Sequence, residues 1–282
     1  GTQDRDGDLW VASLRGLIRC DGQNFDTFTI RDGLRANLQH SLFVDADGDI
    51  WSGDDRGSAT RLRGDRVVAS YDAAEAAKGP VLALAVVDGV LYRAVQGKGV
   101  VATRLTDGSH RLVPVDIKPR RNGLFSMVIA DDSVLWLDDG ALYGWTTGRD
   151  APQRLDPGPF VGLERNSTGA IYLLRANASM LRWSSGGREQ TESGFAPVTD
   201  GAVSAVDAFG RLWTATDNTL ISPLGSRYQH PAAGLSDLFV DRQGVVWMAA
   251  GNGLVRFLGS RFMHIALSPD ERERIVYAIH ED

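Results

Sequence analysis

The stretch DRQGVVWMAAGNGLVRF, residues 241–257, decides the reading of this chain. It opens on Asp241, places Gly244 three positions on and Trp247 three after that, and ends on a Gly-Leu step into a short apolar run. The same order recurs. Asp4, Gly7 and Trp10 fill it in DRDGDLWVASLRGLIRC, Asp45, Gly48 and Trp51 in DADGDIWSGDDRGSATRL, and Asp207, Gly210 and Trp213 in DAFGRLWTATDNTLIS. A softened copy, NSTGAIYLLRANASMLRW, carries Asn166, Gly169 and Tyr172. Two further copies keep only the strand and its aromatic, at Tyr92 and Trp136. The seven aromatic anchors are spaced by 41, 41, 44, 36, 41 and 34 residues, the period of a propeller blade.

Each unit reads as four short strands. In the last full unit these are residues 238–240, 245–248, 253–257 and 261–265, separated by Gly, Asp, Asn and Ser clusters that mark turns. The expected fold is therefore all-β: a seven-bladed β-propeller with four antiparallel strands per blade, built from residues 1–282 as one domain. A β-helix is the main rival, but its coils are usually shorter and not joined by tight Asp-x-x-Gly hairpins. Helical repeats are excluded, since the only helix-like stretches are DAAEAAK (72–78) and SPDERER (268–274). The second has Ser268 at an N-cap, Pro269 next and Glu271 where a capping box wants it.

The two ends test the blade count. The chain begins at the first turn of a unit, with no strand before it. It closes on IVYAIHED (275–282), an apolar alternation without a following turn. Joined end to end, the gap from Trp247 round to Trp10 is 45 residues, one more period. The C-terminal strand is expected to complete the first blade and close the ring, which leaves only short, protected edges.

The recurring aspartate has a physical reading. Asp is favoured at the first position of a type I turn, where its carboxylate accepts local backbone N–H groups, and Gly at the fourth. Asp4, Asp45, Asn166, Asp207 and Asp241, with Gly7, Gly48, Gly169, Gly210 and Gly244, are expected to be structural turns. DRDGD and DADGD also look like the start of a calcium loop, but the twelfth position, which needs a carboxylate, holds Arg15 and Arg56. No metal and no cofactor are expected.

Bulk properties narrow the class. Hydrophobic content is 43% and charged content 23%, as in folded globular proteins. No apolar run approaches the roughly 20 residues of a membrane span, and no signal peptide is recognisable, so direct membrane contact is not expected. Net charge is −6 without a basic stripe, which argues against nucleic acid. Cys20, the single cysteine, falls in an expected strand and reads as a small buried hydrophobe.

The repeat D-x-x-G-[apolar]-W-[apolar]-x-[small]-x-x-G-L-x-[RK]-[apolar] resembles the two-component regulator propeller family. Residues 4–19 and 241–257 match best, through Gly16-Leu17 and Gly253-Leu254. Units starting at Asp45 and Asp207 match less well, and residues 80–190 are degenerate. The resemblance implies a periplasmic, non-catalytic sensor, cut from a longer membrane-bound receptor whose output is a histidine kinase or a diguanylate cyclase. It implies a small-molecule ligand, a carbohydrate in some relatives. It also implies a neighbouring propeller or β-sandwich domain, with a homodimer as a further partner.

In such a ring the second-to-third-strand loops share a face with the blade links, opposite the Asp-x-x-Gly turns. Binding residues concentrate on loops held by a rigid scaffold. The candidate ligand residues are Arg15, Arg35, His40, Asp55, Arg56, Lys98, Arg121, Asp139, Arg175, Asn177, Asn218 and Asn252. Of these, Arg56, Lys98, Arg121 and Arg175 come from four units and are placed to surround a channel mouth. Two other classes compete: an interaction or dimerisation scaffold, and an enzyme, a propeller glycosidase or lyase, with the loop residues Asp54, Asp55, Asp138 and Asp139 as carboxylates across the channel. A glycosidase needs two carboxylates about 5–10 Å apart. No catalytic motif is present, and His110, His230 and His264 fall near outer strands, which reads as surface or edge placement rather than catalysis.

Overall fold

The computed structural model describes residues 2–3, 7–21, 24–115, 117, 125–191, 198, 202–216, 218–265, 267 and 276–279. Seven antiparallel sheets follow one another along the chain, six of four strands and one of five. Each sheet is a meander in which strands pair with their sequence neighbours, except that the C-terminal strand joins the first sheet. The result is the expected seven-bladed β-propeller with almost no helix. The expected helical stretch at 72–78 contracts to a single 3₁₀ turn, Glu75–Ala77. Its neighbour at 268–274 lies outside the described residues.

The aromatic anchors all stand in the second strand of their blade: Leu9–Ser13, Ile50–Asp54, Val90–Val95, Ser133–Asp138, Ile171–Leu174, Leu212–Ala215 and Val246–Ala250. Trp10, Trp51 and Trp136 are fully enclosed. Trp51 belongs to a core cluster that also holds Ala77, Val81, Leu82 and Leu91 of the next blade. Blades therefore adhere through these large apolar faces, each worth about 1.5–3 kcal/mol per buried side chain. Cys20 is buried in the third strand of blade 1.

Closure has one feature the sequence did not foretell. A two-residue strand, Thr2–Gln3, precedes the first turn and pairs with Trp10 and Leu9. The C-terminal strand, Val276–Ile279, pairs with the other half of the same strand, at Val11, Ala12 and Ser13. Two segments from opposite chain ends thus lie along one edge as the inner strand of blade 1. The expectation that no strand precedes the first turn fails because two residues suffice to fill the ladder left open by the C-terminal segment.

The Asp-x-x-Gly segments are turns, with more specific wiring than a generic type I turn. Asp45 Oδ1 accepts from the amides of Asp47 and Asp49, both at 3.0 Å. Its Oδ2 accepts from the indole N–H of Trp51 at 2.7 Å. Asp241 repeats this with Gln243, Val245 and, at 2.9 Å, Trp247. The interval of six residues in the motif is the reach of one carboxylate from a turn to the indole of the following strand. Gly48 and Gly244 adopt φ of 85° and 79°, the left-handed region where glycine carries no steric penalty. Asp207 differs: its second oxygen goes to Arg211, and the buried Trp213 indole N–H has no hydrogen-bond partner among the described residues. Asn166 holds its own turn and donates to the Asp207 carbonyl of the next blade at 2.9 Å. Gly7, Gly169 and Gly210 likewise have positive φ, and Asp4 lies outside the described residues.

Candidate functional site

Antiparallel alternation puts the first-to-second and third-to-fourth turns on one end of the ring, and the second-to-third loops and blade links on the other. Backbone hydrogen bonds tie the second set into one layer. Asp55 N–H donates to Leu38, Gln96 to Pro80, Gly97 to Ile117, Phe160 to Gly140, Val198 to Ala176, His230 to Asn218 and Gly251 to Ala233, at 2.8–3.2 Å. Each bond joins a loop to a link, in blades 2 through 7. This loop face is thus a surface held in fixed geometry by its own backbone.

The candidate residues occupy it unevenly. Arg15, Arg35, Arg56, Lys98, Asp139, Asn177 and Asn218 are exposed, whereas His40, Asp55, Arg175 and Asn252 are half-buried. Arg121 lies outside the described residues. Several side chains are engaged in holding loops. Asn252 accepts from the Ala233 amide and donates to the Pro231 carbonyl, locking the link between blades 6 and 7. Asn177 accepts from Ser179, and Asn218 from the Thr219 hydroxyl. Arg35 pairs with Asp72 at 3.1 Å, and the Arg175 guanidinium stands 5.8 Å from the Phe160 ring.

Three candidates meet in blade 2. His40 sits at a bulge between Gln39 and Ser41 in the inner strand, where an extra residue re-aims its side chain. Asp55 and Arg56 follow the second strand, after Asp54 at its end. The sequence reading placed Asp54 in the loop beside Asp55; it is instead the last strand residue and only 2% exposed. Asp54 Oδ1 accepts from the amides of Arg56 and Ser58. Its Oδ2 and the Oδ1 of Asp55 are buried with no hydrogen-bond partner among the described residues. Burial pushes the Asp54 carboxyl above its ordinary value, against the amides of Ser58 and Arg56. Burial lowers the His40 imidazole, with the Asp55 charge opposing.

Behind this cluster lies Arg93, which the sequence reading passed over. It is 1% exposed, in the second strand of blade 3. Its guanidinium donates to the Gly57 carbonyl at 2.6 Å, to the Tyr71 carbonyl at 3.3 Å and to the Thr103 hydroxyl at 3.0 Å. Burial brings it down to about 10, with Asp54 and Asp72 pulling it up, so it stays charged at neutral pH. The available signal was VLYRAV itself: an arginine inside an otherwise apolar strand demands buried partners. Arg93 thus braces the blade 2 loop from the next blade.

Two cavities among the described residues lie away from the loop face. One, of about 160 Å³, is the central channel, lined by inner strands, with Ser41, Glu164, Ser204 and Asp237 among its polar groups. Glu164 accepts from the Ser204 hydroxyl at 2.8 Å. The other is a groove of about 840 Å³ at the turn end, between blades 4 and 5. None of Asp54, Asp55, Asp138 and Asp139 lines either. No group of three or more His, Cys, Asp or Glu side chains arranged to hold a metal occurs among the described residues. His230 corrects the expectation of a surface position: it is buried, bonded to the Thr216 carbonyl at 2.8 Å and packed edge-on to Phe262. The blade link folds inward there to reach the neighbouring blade. His110 and His264 are exposed on outer strands, as expected.

No family model matches the chain, and no curated protein matches it. Solved structures do. Virginiamycin B lyase from Staphylococcus aureus matches with TM-score 0.59 at 12% identity, over 83% of this chain and 85% of that one. The extracellular domain of the one-component system BT4673 from B. thetaiotaomicron matches with TM-score 0.54 at 16% identity, over 95% of this chain and 46% of that one. The WD40 propeller domain of Doa1 matches with TM-score 0.59 at 13% identity, over 94% and 90%. A lyase, an extracellular domain of a one-component system and a WD40 domain share this architecture, and at such identities the likeness shows the fold alone. The chain is a seven-bladed β-propeller.

Proposed function

We propose that this propeller is the extracytoplasmic ligand-sensing module of a bacterial membrane-bound receptor of the two-component regulator propeller type, binding a small molecule through its loop face without turnover. The observation that carries the reading is the backbone layer joining loops to links in six blades. Such a surface is pre-organised, and pre-organisation lowers the ordering cost of binding. Exposed Arg56 and Lys98 stand on it beside the half-buried His40 and Asp55. Together they offer donors and acceptors to a hydroxylated or carboxylated ligand, a carbohydrate included. The D-x-x-G-x-x-W repeat and the likeness to an extracellular region of a one-component system support the sensory setting. No helix among the described residues is long and apolar enough to cross a membrane.

The test is a binding screen against diverse oligosaccharides and organic acids, repeated with Arg56→Ala/Lys98→Ala. The variant should lose binding of the compound found while its melting midpoint stays put, since surface loop changes are usually within about 0.5 kcal/mol. Full binding by the variant, or conversion of the compound to product, would sink the proposal.

A second reading, a protein-interaction scaffold, is favoured by one observation. Phe209 and Leu224, on two turns of blade 6, are 82% and 77% exposed at the end opposite the loop face. Large apolar side chains this exposed offer contact area to a protein partner.

A further inference from the structure

The blades are internal copies, so each shows what the same position does elsewhere in the ring. In the third strand a recurring arginine lies across the ladder from the aromatic anchor: Arg19 opposite Trp10, Arg61 opposite Trp51, Arg256 opposite Trp247, and Arg182 opposite Tyr172. Three of them stack on the indole, at 6.0, 5.4 and 5.2 Å from the ring centre. Arg61 is also neutralised by Asp45, Asp47 and Asp49, at 2.6–3.3 Å. Arg19 is neutralised by Asp8 and Asp26.

Blade 5 lacks the turn carboxylates, and Glu189, which stands across from Arg182 as Asp26 stands across from Arg19, makes no ion pair with it among the described residues. The blade 5 turn reads Asn166-Ser167-Thr168-Gly169 where blade 2 reads Asp45-Ala46-Asp47-Gly48, and Ala170 stands where blade 2 has Asp49. The Arg182 guanidinium makes no ion pair or hydrogen bond among the described residues. The residue before the turn changes too. Val44, Val206 and Val240 are buried there in blades 2, 6 and 7, whereas blade 5 has the exposed Arg165. The Arg165 guanidinium also has no ion pair or hydrogen bond among the described residues. It lies over the turn, 3.4 Å from where a Cβ on Gly169 would stand.

Both guanidinia line the 840 Å³ groove, with the half-buried Trp183 and the Ser184–Gly187 turn as walls. Arg188 lines it as well, but is held by Asp156 at 2.9 Å and by the Leu155 carbonyl. The carboxylates of Asp131 and Glu189 also line it and form no ion pair with Arg165 or Arg182. Arg165 lines the channel too, so groove and channel meet at its side chain.

We infer that the turn-end groove between blades 4 and 5 is a binding site for an oxyanion, a carboxylate or phosphate ester on a small organic molecule, held by Arg165 and Arg182 with its apolar part against Trp183. An arginine fork matches the geometry of either anion. Blade 5 lacks the turn carboxylates that occupy this arginine in blade 2 and has a second guanidinium, Arg165, beside it. An external anion restores the balance that blades 1 and 2 achieve internally. The site is distinct from the loop face and independent of it.

The indole N–H resonance of Trp183, assigned with Trp183→Phe, reports on the groove directly. It is followed during titration with citrate, with inorganic phosphate, and with sodium chloride at matched ionic strength. Saturable shifts with citrate alone assign a carboxylate, with phosphate alone a phosphate ester, and with both a general oxyanion. Arg165→Gln and Arg182→Gln should each weaken binding at least about tenfold. Thr168→Asp, which restores the counterpart of Asp47 at an exposed position, should weaken it similarly with the melting midpoint unchanged. Arg211→Gln, at an arginine already paired with Asp207, should change nothing. The inference is overturned if neither anion gives a saturable shift below about 10 mM, or if the Arg165→Gln/Arg182→Gln protein binds like the parent.

Discussion

Asp45→Asn separates an aspartate that merely turns the chain from one that also latches the next strand. The native carboxylate serves three N–H donors: two amides through Oδ1 and the Trp51 indole through Oδ2. Asparagine keeps one acceptor oxygen. If that oxygen holds the turn, the side-chain NH₂ faces the indole N–H, donor against donor. Trp51 is fully enclosed, so its N–H finds no water. Losing a hydrogen bond to a charged group and stranding a buried donor costs about 2–3 kcal/mol. The lost ion pair to Arg61 adds less than about 1 kcal/mol, because that guanidinium keeps Asp49 at 2.6 Å and Asp47 at 3.3 Å. At about 2–4 °C per kcal/mol for a chain of this size, the melting midpoint falls by about 5–10 °C. Asp207→Asn is the control. There the second oxygen meets Arg211, which is 45% exposed, and no indole depends on it, so the loss is about 1 kcal/mol or less. Thermal unfolding followed by near-ultraviolet circular dichroism reads both. Equal losses in the two variants, or an Asp45→Asn midpoint within a degree of the parent, would refute the latch.

Melts in calcium and in chelator should superimpose, because the turn carboxylates already accept from N–H groups; a gain of several degrees in calcium would show an unrecognised ion site. Deleting residues 274–282 removes the strand paired with Val11, Ala12 and Ser13, and should abolish cooperative unfolding or cause aggregation; unchanged unfolding would mean that the ring needs no such closure. Arg93→Leu strands the Gly57 and Tyr71 carbonyls and leaves Asp54 without its buried cation, and should cost about 3–5 kcal/mol in a urea titration; a loss below about 1 kcal/mol would refute the brace. His40 has a folded value below its ordinary 6.5. The unfolded chain therefore takes up its proton first on acidification, and stability falls as pH drops from 6.5 through the folded value. His40→Gln should flatten that segment of the stability–pH curve, and an unchanged slope would assign it to other groups.

The fold was legible because the repeat fixes both strand count and ring size, and because Asp, Gly and Trp recur at intervals set by one turn and one carboxylate's reach. What could not be read is what depends on neighbouring blades. Arg93 looked like a stray charge in VLYRAV, since its partners Gly57 and Tyr71 belong to the previous blade. Asp54 looked like a loop residue because strand ends move by a position or two without any mark in the sequence. His230 lay near an outer strand in sequence yet turns inward with its link. Asn252 and Asn177 looked free to bind, and are engaged in local hydrogen bonds that a one-dimensional pattern does not display. The blade 5 arginines were visible as letters, but only the ion pairs of blades 1 and 2 reveal what blade 5 has lost.

The central claim is that ligand is bound at the loop face, and hydrogen exchange tests it most directly. Amide exchange is measured with and without the compound found in the screen. Protection should appear in the second-to-third-strand loops, at Asp55–Arg56 and Gln96–Lys98, and in the links that bond to them, while the turns at Asp45, Asp207 and Asp241 exchange as before. Protection confined to those turns, with the loops unchanged, would place the ligand at the opposite end of the ring and contradict the account.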